Sequence, residues 1–383
     1  MPRRNKEEVT KKHKEIKLDK RKIAFLVTFI LIFIIILCFL KYKELGLIIN
    51  KKITDKDVVS IELLSKNNTI YSYKNEVLVY NLGNLTTYDR YGKKTWSEEL
   101  QSVVDADINI AGDYIQIVNK DKGYIYVYKN KYETSRIKID GTIKSAYIND
   151  GGYSVVEYIM TGSKTVLGIY DKSGKSKYNV KLGQEVVGKY ILTSNCRYLA
   201  YVNINLKGIS VSLDINVIDL KNSTKDDFKS STVCTKDNEL VYQMYVQSND
   251  LICRTDNSII KYSLSGKKFE EFKIEEDNLV YIDLSKNKYS FVKTLETGAY
   301  AFGINSFNKK DTDLKQIQEI PKYFEYVDGI TYVSYQKKID VYNGFKNKIK
   351  EYDSDMVITK PVVFNNGNSV AILLSNRLVM FTI

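Results

Sequence analysis

The hydrophobic residues beyond residue 55 fall in short runs rather than in long helical patterns. Tyr, Ile and Val are prominent in these runs, and each run follows a turn-forming Asn, Gly or Asp. Short apolar runs bounded by turn residues are typical of β-strands, so the sequence predicts an all-β domain. The clearest runs are "EVLVYNL" (76–82), "DYIQIV" (113–118), "YSVVEY" (153–158), "RYLAYV" (197–202), "DLICR" (250–254), "YSFVK" (289–293), "ITYVSY" (330–335) and "SVAILLS" (369–375).

These runs recur at a nearly constant interval of about 42 residues, which leaves room for four short strands in each unit. A second strand follows each run after a polar break and ends in an aromatic or aliphatic residue. These ends lie near Tyr88, Tyr128, Tyr170, Ile218, Tyr262, Ile304, Tyr342 and Phe381. A ring of such units packs sheet against sheet and leaves only short edges exposed. We therefore predict an eight-bladed β-propeller, with seven blades as the alternative.

The two ends of the chain predict how the ring closes. The last unit stops after three strands at Ile383. An unassigned strand, "DVVSIELLS" (57–65), precedes the first complete unit. We predict that this strand completes the last blade and fastens the ring.

A turn motif recurs three times, as "YDRYGKKTW" (88–96), "YDKSGKSKY" (170–178) and "YSLSGKKFE" (262–270). Each copy reads as the end of a third strand, a hairpin turn and the start of a fourth strand. Gly92, Gly174 and Gly266 are expected to supply the conformational freedom of the turn.

The motif resembles the repeat of PQQ-like (quinoprotein-type) propellers, whose turn reads D-x-x-T-G-K-x-x-W. The first copy matches it at Asp89, Gly92, Lys93 and Trp96. The second copy matches at Asp171, Gly174 and Lys175, with Tyr178 in the Trp position, and the third keeps Gly266 and Lys267 but has Ser263 in place of Asp. The resemblance implies that these residues link neighbouring blades. It does not extend to quinone-dependent oxidation, because the groups that hold the quinone have no identifiable counterpart, and no cofactor is expected.

An apolar segment, "IAFLVTFILIFIIILCFL" (23–40), precedes the predicted propeller and contains no charged residue. A helix of this length spans about 27 Å, close to the thickness of the hydrocarbon core of a bilayer. The flanking basic residues are Lys20, Arg21, Lys22, Lys41 and Lys43. The more basic amino-terminal flank predicts a cytoplasmic amino terminus. A cleaved signal peptide would need a small-residue cleavage site, and a lipoprotein would need a small residue before Cys38, where Leu37 stands.

The predicted organisation is therefore a basic cytoplasmic tail (1–22), a transmembrane helix (23–40), a linker (41–54) and an extracytoplasmic propeller (55–383). This layout resembles that of uncharacterised single-pass membrane proteins of Gram-positive bacteria with a propeller ectodomain. Localisation in the cell membrane follows as an expectation.

The net charge of +12 is concentrated at the amino terminus, where residues 1–22 carry ten Lys or Arg and four Asp or Glu. The remainder is only mildly basic, so nucleic-acid binding is not expected. The four cysteines include no CxxC pair and predict neither a disulfide framework nor a zinc site.

The only histidine, His13, lies in the basic tail. A Ser-His-Asp or Cys-His arrangement therefore cannot form within residues 55–383, which argues against an enzyme of those classes. Paired carboxylates contributed by different blades remain possible.

A candidate calcium site occurs in "DADINIAGD" (105–113), where oxygen-bearing side chains alternate at Asp105, Asp107, Asn109 and Asp113. Calcium loops use such spacing, but Ile110 stands where their sharp turn normally has Gly. The preferred alternative is a strand with alternating polar positions, closed by a turn at Gly112.

The function predicted from these features is that of a non-enzymatic, membrane-anchored scaffold whose propeller face binds a protein partner. The alternative is an envelope glycan- or polymer-binding protein, with weak hydrolysis by carboxylates near the channel. An apolar or tyrosine-rich face would favour the first function, and a carboxylate cluster at the channel mouth the second. Most of the 31 tyrosines are expected to pack between blades.

Overall fold

A computed structural model of the chain describes residues 28–29, 31–34 and 51–383, apart from 102, 163, 207–209, 224–227, 286, 310–312 and 366. It divides into two compact units, Met1–Ile49 and Asn50–Ile383. In the first unit, residues 28–29 and 31–34 are helical and exposed. No helix within the described part of the chain is long and apolar enough to cross a membrane. Several predicted features lie outside the described residues. They are most of segment 23–40, the basic tail with His13, Cys38, and the flanking Lys20, Arg21, Lys22, Lys41 and Lys43.

The second unit consists of consecutive short strands. It begins with β1 (Lys51–Ile53), a 3-10 turn (Asp55–Asp57) and β2 (Val58–Glu62). Blade 1 contains β3 (Thr69–Tyr73), β4 (Glu76–Asn81), β5 (Asn84–Asp89) and β6 (Lys94–Glu99). Blade 2 contains β7 (Asp107–Ala111), β8 (Tyr114–Asn119), β9 (Tyr124–Lys129) and β10 (Tyr132–Lys138). Blade 3 contains β11 (Thr142–Ile148), β12 (Ser154–Met160), β13 (Lys164–Tyr170) and β14 (Ser176–Gly183). Blade 4 contains β15 (Val186–Leu192), β16 (Tyr198–Asn205), β17 (Ser212–Asp219) and β18 (Ser230–Asp237).

The second half continues the same pattern. Blade 5 contains β19 (Gln243–Gln247), β20 (Asp250–Arg254), β21 (Ser258–Ser263) and β22 (Phe269–Lys273). Blade 6 contains β23 (Leu279–Ser285), β24 (Lys288–Thr294), β25 (Tyr300–Ser306) and β26 (Lys315–Ile317). Blade 7 contains β27 (Tyr323–Val327), β28 (Ile330–Ser334), β29 (Lys338–Asn343) and β30 (Asn347–Asp353). Blade 8 contains β31 (Lys360–Val363), β32 (Ser369–Leu374) and β33 (Arg377–Thr382) together with β2. Within each blade, neighbouring strands pair in antiparallel fashion, which confirms the eight-bladed propeller.

The ring closes as the sequence predicts, through the strand at the amino-terminal end of the unit. β2 pairs antiparallel with β33, with Val58 opposite Phe381 and Glu62 opposite Arg377. The first and last strands of the propeller therefore share one sheet, and their hydrogen bonds hold the ring together.

One strand is additional to the predicted set. β1 pairs in parallel with β30 at the outer edge of blade 7, and Lys52 forms an ion pair of 2.6 Å with Asp353. The prediction that residues 51–53 belong to the linker is wrong, because they form a strand of a propeller sheet. Two lysines in a three-residue strand leave no apolar run to recognise.

The hydrophobic core is divided among the blade interfaces. Eight clusters of buried residues each join side chains of two adjacent blades. The cluster between blades 7 and 8 packs Tyr332 and Val341 against Ile372 and Phe381, for example. Tyr73, Tyr128 and Tyr332 are among the largest fully buried side chains, which agrees with tyrosines packing between blades.

The first strand of each blade lies nearest the ring axis, where neighbouring first strands such as β23 and β27 contact each other. The connections between first and second strands and between third and fourth strands lie at one end of the ring, which we term the turn face. The connections between second and third strands and between successive blades lie at the other end, the loop face.

Candidate interaction surfaces of the propeller

The first two copies of the repeated turn have the same local structure. The Asp89 carboxylate accepts hydrogen bonds from the backbone N–H groups of Tyr91 and Lys93, both at 2.9 Å. The Asp171 carboxylate does the same for Ser173 and Lys175, at 3.0 and 3.1 Å. Gly92 and Gly174 both have φ of 82°, a conformation that favours glycine.

These two turns also contact the neighbouring blades on both sides. Gly92 lies against the closing strand, since a Cβ there would be 2.6 Å from Val59 Cγ1. Gly174 lies in the same way against Ser135 and Ile137 of β10 in blade 2. The aromatic position of the motif reaches the following blade, with the Trp96 ring 5.7 Å from Tyr128 and the Tyr178 ring 6.1 Å from Phe228. The described geometry therefore places motif residues at blade interfaces.

The third copy of the turn lacks these features. Its left-handed residue is Lys267, with φ of 53°, so the expectation that Gly266 supplies the turn's freedom is wrong. A Cβ on Gly266 would approach only Ser263 of its own turn. Glu270 stands in the aromatic position and forms an ion pair with Lys268 at 2.6 Å. Without the Asp and the aromatic residue, only the hairpin itself is retained.

The candidate calcium ligands do not converge. Asp107 and Asn109 lie in the extended strand β7, where alternate residues are roughly 6.6 Å apart. Lys120 pairs with Asp107 at 2.7 Å, Lys74 pairs with Asp113 at 2.6 Å, and the Asn109 amide donates to Gln116 at 2.9 Å. Asp105 is exposed in the connection before β7. Within the described part of the chain, no group of three or more His, Cys, Asp or Glu side chains is placed to hold a metal ion. The arrangement corresponds to the alternative, a strand with alternating polar positions.

Exposed apolar side chains are concentrated on the loop face. Leu64 is fully exposed and Val104 is 65% exposed. The exposed large hydrophobic residues in the described loop-face connections are Leu64, Leu82, Val104, Leu206, Val211, Leu240, Tyr242, Ile320 and Val357. The described turn-face connections contain only Tyr91 and Leu314 of this kind. Apolar groups exposed together on one face of a soluble domain are typical of an interaction surface.

The two faces also differ in charge. The described loop-face connections contain the acidic residues Asp105, Asp121, Asp140, Glu185, Glu239, Asp256, Glu275, Glu276, Asp277, Glu296, Glu319 and Asp355 and the basic residues Lys66, Lys120, Lys122, Lys322 and Lys337. The described turn-face connections contain the basic residues Lys74, Arg90, Lys93, Lys131, Lys172, Lys175, Arg197, Lys221, Lys229, Lys267, Lys268, Lys309 and Lys346 and the acidic residues Asp113, Asp150, Asp171, Asp313 and Asp328. Glu276 is buried and paired with Lys293, but the other charges leave the loop face acidic and the turn face basic. Each face is therefore expected to attract ligands of the opposite charge.

Two carboxylates lie on neighbouring first strands, where the channel is lined by blades 6 and 7. Asp283 of β23 accepts a hydrogen bond from the Gln243 side chain, and Glu325 of β27 accepts one from the Tyr323 hydroxyl. Lys360, the first residue of β31, lies nearby with its Nζ 5.0 Å from the centre of the Tyr71 ring. The first strands thus supply acidic, basic and phenolic groups to one part of the channel wall.

Burial shifts the ionisation of this cluster. It raises the pKa of the Asp283 and Glu325 carboxyl groups, and the negative charge of Asp283 adds to the shift at Glu325. Burial lowers the pKa of Lys360, with partial compensation by Glu325. Shifted carboxyl groups of this kind are frequent at functional sites.

We expect the double substitution Asp283→Asn and Glu325→Gln to stabilise the propeller at neutral pH. A carboxyl group with a raised pKa binds its proton more tightly in the folded state, so folding stability falls as pH rises through that pKa. Removing both charges should raise the melting temperature by roughly 2 °C at pH 7, and the gain should disappear towards pH 4.

The control for this experiment is Glu351→Gln. The hydrogen bond from Lys348 lowers the pKa of Glu351, so that carboxylate contributes stability that is lost on acidification. Its substitution should lower the melting temperature at pH 7 and have little effect at low pH. A lower melting temperature for the double variant at pH 7 would contradict the prediction.

The three described cysteines, Cys196, Cys234 and Cys253, are free thiols. Burial raises the pKa of Cys196 and of Cys234 to about 11 and raises that of Cys253 further. All three thiols are therefore protonated at neutral pH, which makes them poor nucleophiles.

The fold places the protein in the class of eight-bladed β-propellers. Proteins with this fold often mediate protein binding. The model of a family of unknown function, DUF5711, matches residues 49–379, and the chain belongs to this family. No curated protein sequence matches the chain.

Several solved structures have a similar fold. The Dos1 propeller aligns with a TM-score of 0.53 and 11% identity over 84% of this chain and 94% of that chain. A eukaryotic initiation factor aligns with a TM-score of 0.52 and 7% identity over 79% and 90%. The WD40 domain of SCAP from fission yeast aligns with a TM-score of 0.50 and 10% identity over 86% and 98%. At these identities the similarity establishes the fold alone.

Proposed function

We propose that the protein is a membrane-anchored, non-enzymatic scaffold that binds a protein partner through the loop face. The observation that carries this proposal is the concentration of exposed aliphatic side chains on that face, contributed by connections from several blades. Connections can vary while the ring of sheets remains rigid, which suits a propeller to recognition.

The charge of the loop face indicates the chemistry of the partner. The loop-face connections carry acidic residues as well as exposed apolar side chains, so a complementary surface has apolar groups together with Lys and Arg. Such charges accelerate association and select the correct partner, while the apolar groups provide most of the affinity. Raising the salt concentration should therefore slow association more than it speeds dissociation.

The proposal predicts that a loop-face variant loses its partner while a turn-face variant keeps it. The loop-face variant is Leu64→Ser, Val104→Ser and Leu206→Ser, and the control is Tyr91→Ser and Tyr132→Ser, which changes exposed side chains at the turn-face end. Cross-linking of the tagged full-length protein in intact cells identifies captured proteins. Each captured protein is then purified, and its affinity for both variants is measured.

We expect the loop-face variant to bind at least about tenfold more weakly than the control. A version lacking residues 2–19 should capture the same partner, since the propeller is proposed to recruit it. Equal binding by both variants would contradict the proposal, as would the absence of any captured protein that binds directly.

A second candidate function is the binding of an envelope glycan or polymer with weak hydrolysis. It is favoured by the carboxyl groups of Asp283 and Glu325, which lie on the neighbouring first strands β23 and β27 of the channel wall. Under this function, the double variant Asp283→Asn and Glu325→Gln would lose polymer cleavage. Retention of cleavage by that variant would exclude a role for the pair.

A further inference from the structure

The turn face contains a cleft between blades 3 and 4 that neither proposed function uses. Its volume is about 380 Å³, within the range of small-molecule sites. It is lined by Lys177 of β14, by Arg197 after β15 and by Lys221 after β17. Tyr153, Tyr178 and Cys196 complete most of the wall. The cleft therefore combines three cations with two aromatic side chains.

The cations are available for a ligand. Lys177, Arg197 and Lys221 are all exposed. Within the described part of the chain, Lys177 and Lys221 form no ion pair, and Arg197 has one contact of 3.4 Å with Asp219. The Arg197 guanidinium also lies 4.8 Å from the centre of the Tyr198 ring, which fixes its direction.

The carboxylates at the border of the cleft are engaged within their own turns. Asp171 accepts from the backbone N–H groups of Ser173 and Lys175. Asp219 accepts from the backbone N–H of Lys221 at 3.2 Å and from the Asn222 amide at 3.0 Å. Within the described part of the chain, neither carboxylate forms an ion pair with Lys177 or Lys221, but Asp171 is close enough to Lys177 to interact with its charge.

The aromatic wall gives the cleft an apolar side. Tyr153 and Tyr178 are half-buried, and the edge contact with Phe228 holds the Tyr178 ring. Aromatic rings at a ligand site pack against the carbon atoms of sugar or polyol units. The Cys196 thiol stays neutral because burial raises its pKa to about 11, so it contributes packing and no charge.

We propose that this cleft binds a phosphodiester ligand in which phosphate groups are joined by polyol or sugar units. Lys177, Arg197 and Lys221 would bind the phosphate groups, and Tyr153 and Tyr178 would pack against the units between them. Arg is well suited to paired hydrogen bonds with phosphate oxygens, and Lys acts as a point charge. The site lies at the opposite end of the ring from the loop face, so this inference does not depend on the proposed scaffold function.

The test compares two variants of the full-length protein with equal changes in net charge. The cleft variant is Lys177→Gln, Arg197→Gln and Lys221→Gln. The control is Lys93→Gln, Lys267→Gln and Lys346→Gln, which removes three exposed charges from the turns of blades 1, 5 and 7. The affinity of each is measured for soluble poly(glycerol phosphate), for polyglutamate of similar length, for inorganic phosphate and for phosphatidylglycerol vesicles.

We expect poly(glycerol phosphate) to bind more tightly than polyglutamate or phosphate, with affinity that falls as salt is raised. The cleft variant should weaken this binding at least about tenfold and the control about twofold or less. Tighter binding to vesicles than to the soluble polymer would identify a lipid headgroup as the source of the phosphodiester. A second variant, Lys177→Gln and Lys221→Gln, keeps the Arg197–Asp219 ion pair. It should still lose most of the affinity for poly(glycerol phosphate). Such a loss would not be due to misfolding caused by breaking that ion pair.

Two results would overturn the inference. Equal weakening by the cleft variant and the control would show general attraction to a basic face. Failure of the unmodified protein to bind any of the four probes at low salt would remove the site altogether. Both results leave the loop-face experiment unaffected, because that experiment measures binding at the other end of the ring.

Discussion

Replacement of Gly83 by Ala is expected to lower the free energy of unfolding by about 3 kcal/mol or more. Gly83 lies in the turn between β4 and β5 and has φ of 87°, which is unfavourable for a residue with a Cβ. That Cβ would lie 2.2 Å from the carbonyl oxygen of Val103 and 2.9 Å from that of Leu100. Both oxygens belong to backbone of the connection to blade 2, so the clash cannot be relieved by rotating a side chain. The measurement is urea unfolding followed by circular dichroism.

Gly162→Ala provides a matched control for this change. Gly162 occupies the corresponding turn of blade 3 with φ of 88°, and a Cβ there would have no atom within 4 Å. Its replacement by Ala should lower the free energy of unfolding only through the unfavourable positive φ, by about 1 kcal/mol. If both substitutions lowered the free energy of unfolding equally, the close contact between Gly83 and the connection to blade 2 would not affect stability, and the prediction would be wrong.

Deletion of residues 51–63 is expected to lower the melting temperature by about 10 °C or more, or to abolish cooperative unfolding. The deletion removes β2, which is the fourth strand of blade 8, and exposes the edge of β33. It also removes Leu63 from the core cluster between blades 8 and 1, and the contacts of Val59 and Ile61 with that cluster. The interface between blades 8 and 1 would then be incomplete, and the ring would be closed by fewer contacts.

A peptide with the sequence of residues 55–64 should bind the truncated protein and raise its melting temperature. The peptide would pair with β33 as an added strand, with the register of the intact chain. A scrambled peptide of the same composition is the control. A truncated protein that melts like the intact one would contradict the assigned role of β2.

The sequence predicts the second and third strands of every blade because these strands are buried on both faces. β4, β8 and β32, for example, are nearly continuous apolar runs in the chain and are almost wholly buried in the structure. Such runs are the clearest strand signal, and their regular spacing is enough to count the blades. The closing strand is recognisable because the last unit is one strand short.

The innermost and outermost strands give a weaker signal for two different reasons. β19 and β27 line the channel, so polar residues such as Gln243 and Glu325 interrupt their apolar pattern. β10 is an outer strand with mostly exposed residues, and its alternation is short. Their existence follows from the length of each unit and from the need to complete four-stranded sheets.

The candidate surfaces could not be predicted because they join residues that are distant in the sequence. In the chain, Leu64 and Val104 each follow another apolar residue and Leu206 lies in a polar connection, so nothing in the sequence marks them as exposed, and only the ring places them on one face. Lys177, Arg197 and Lys221 likewise come from three separate hairpins of two blades. Conversely, the spacing of Asp105, Asp107 and Asn109 suggests a common ligand only if the chain coils. The extended strand β7 instead separates Asp107 from Asn109, and Asp105 lies in the connection before it.

The strand β1 has a mechanical consequence. It runs parallel to β30 at the outer edge of blade 7, and the next strand along the chain closes blade 8. A pulling force applied at residue 50 would act along β1, so the hydrogen bonds to β30 would be loaded together in shear rather than one after another. The chain end that enters the propeller would thus resist tension before the force reached β2, and the closed ring would be protected from being pulled open.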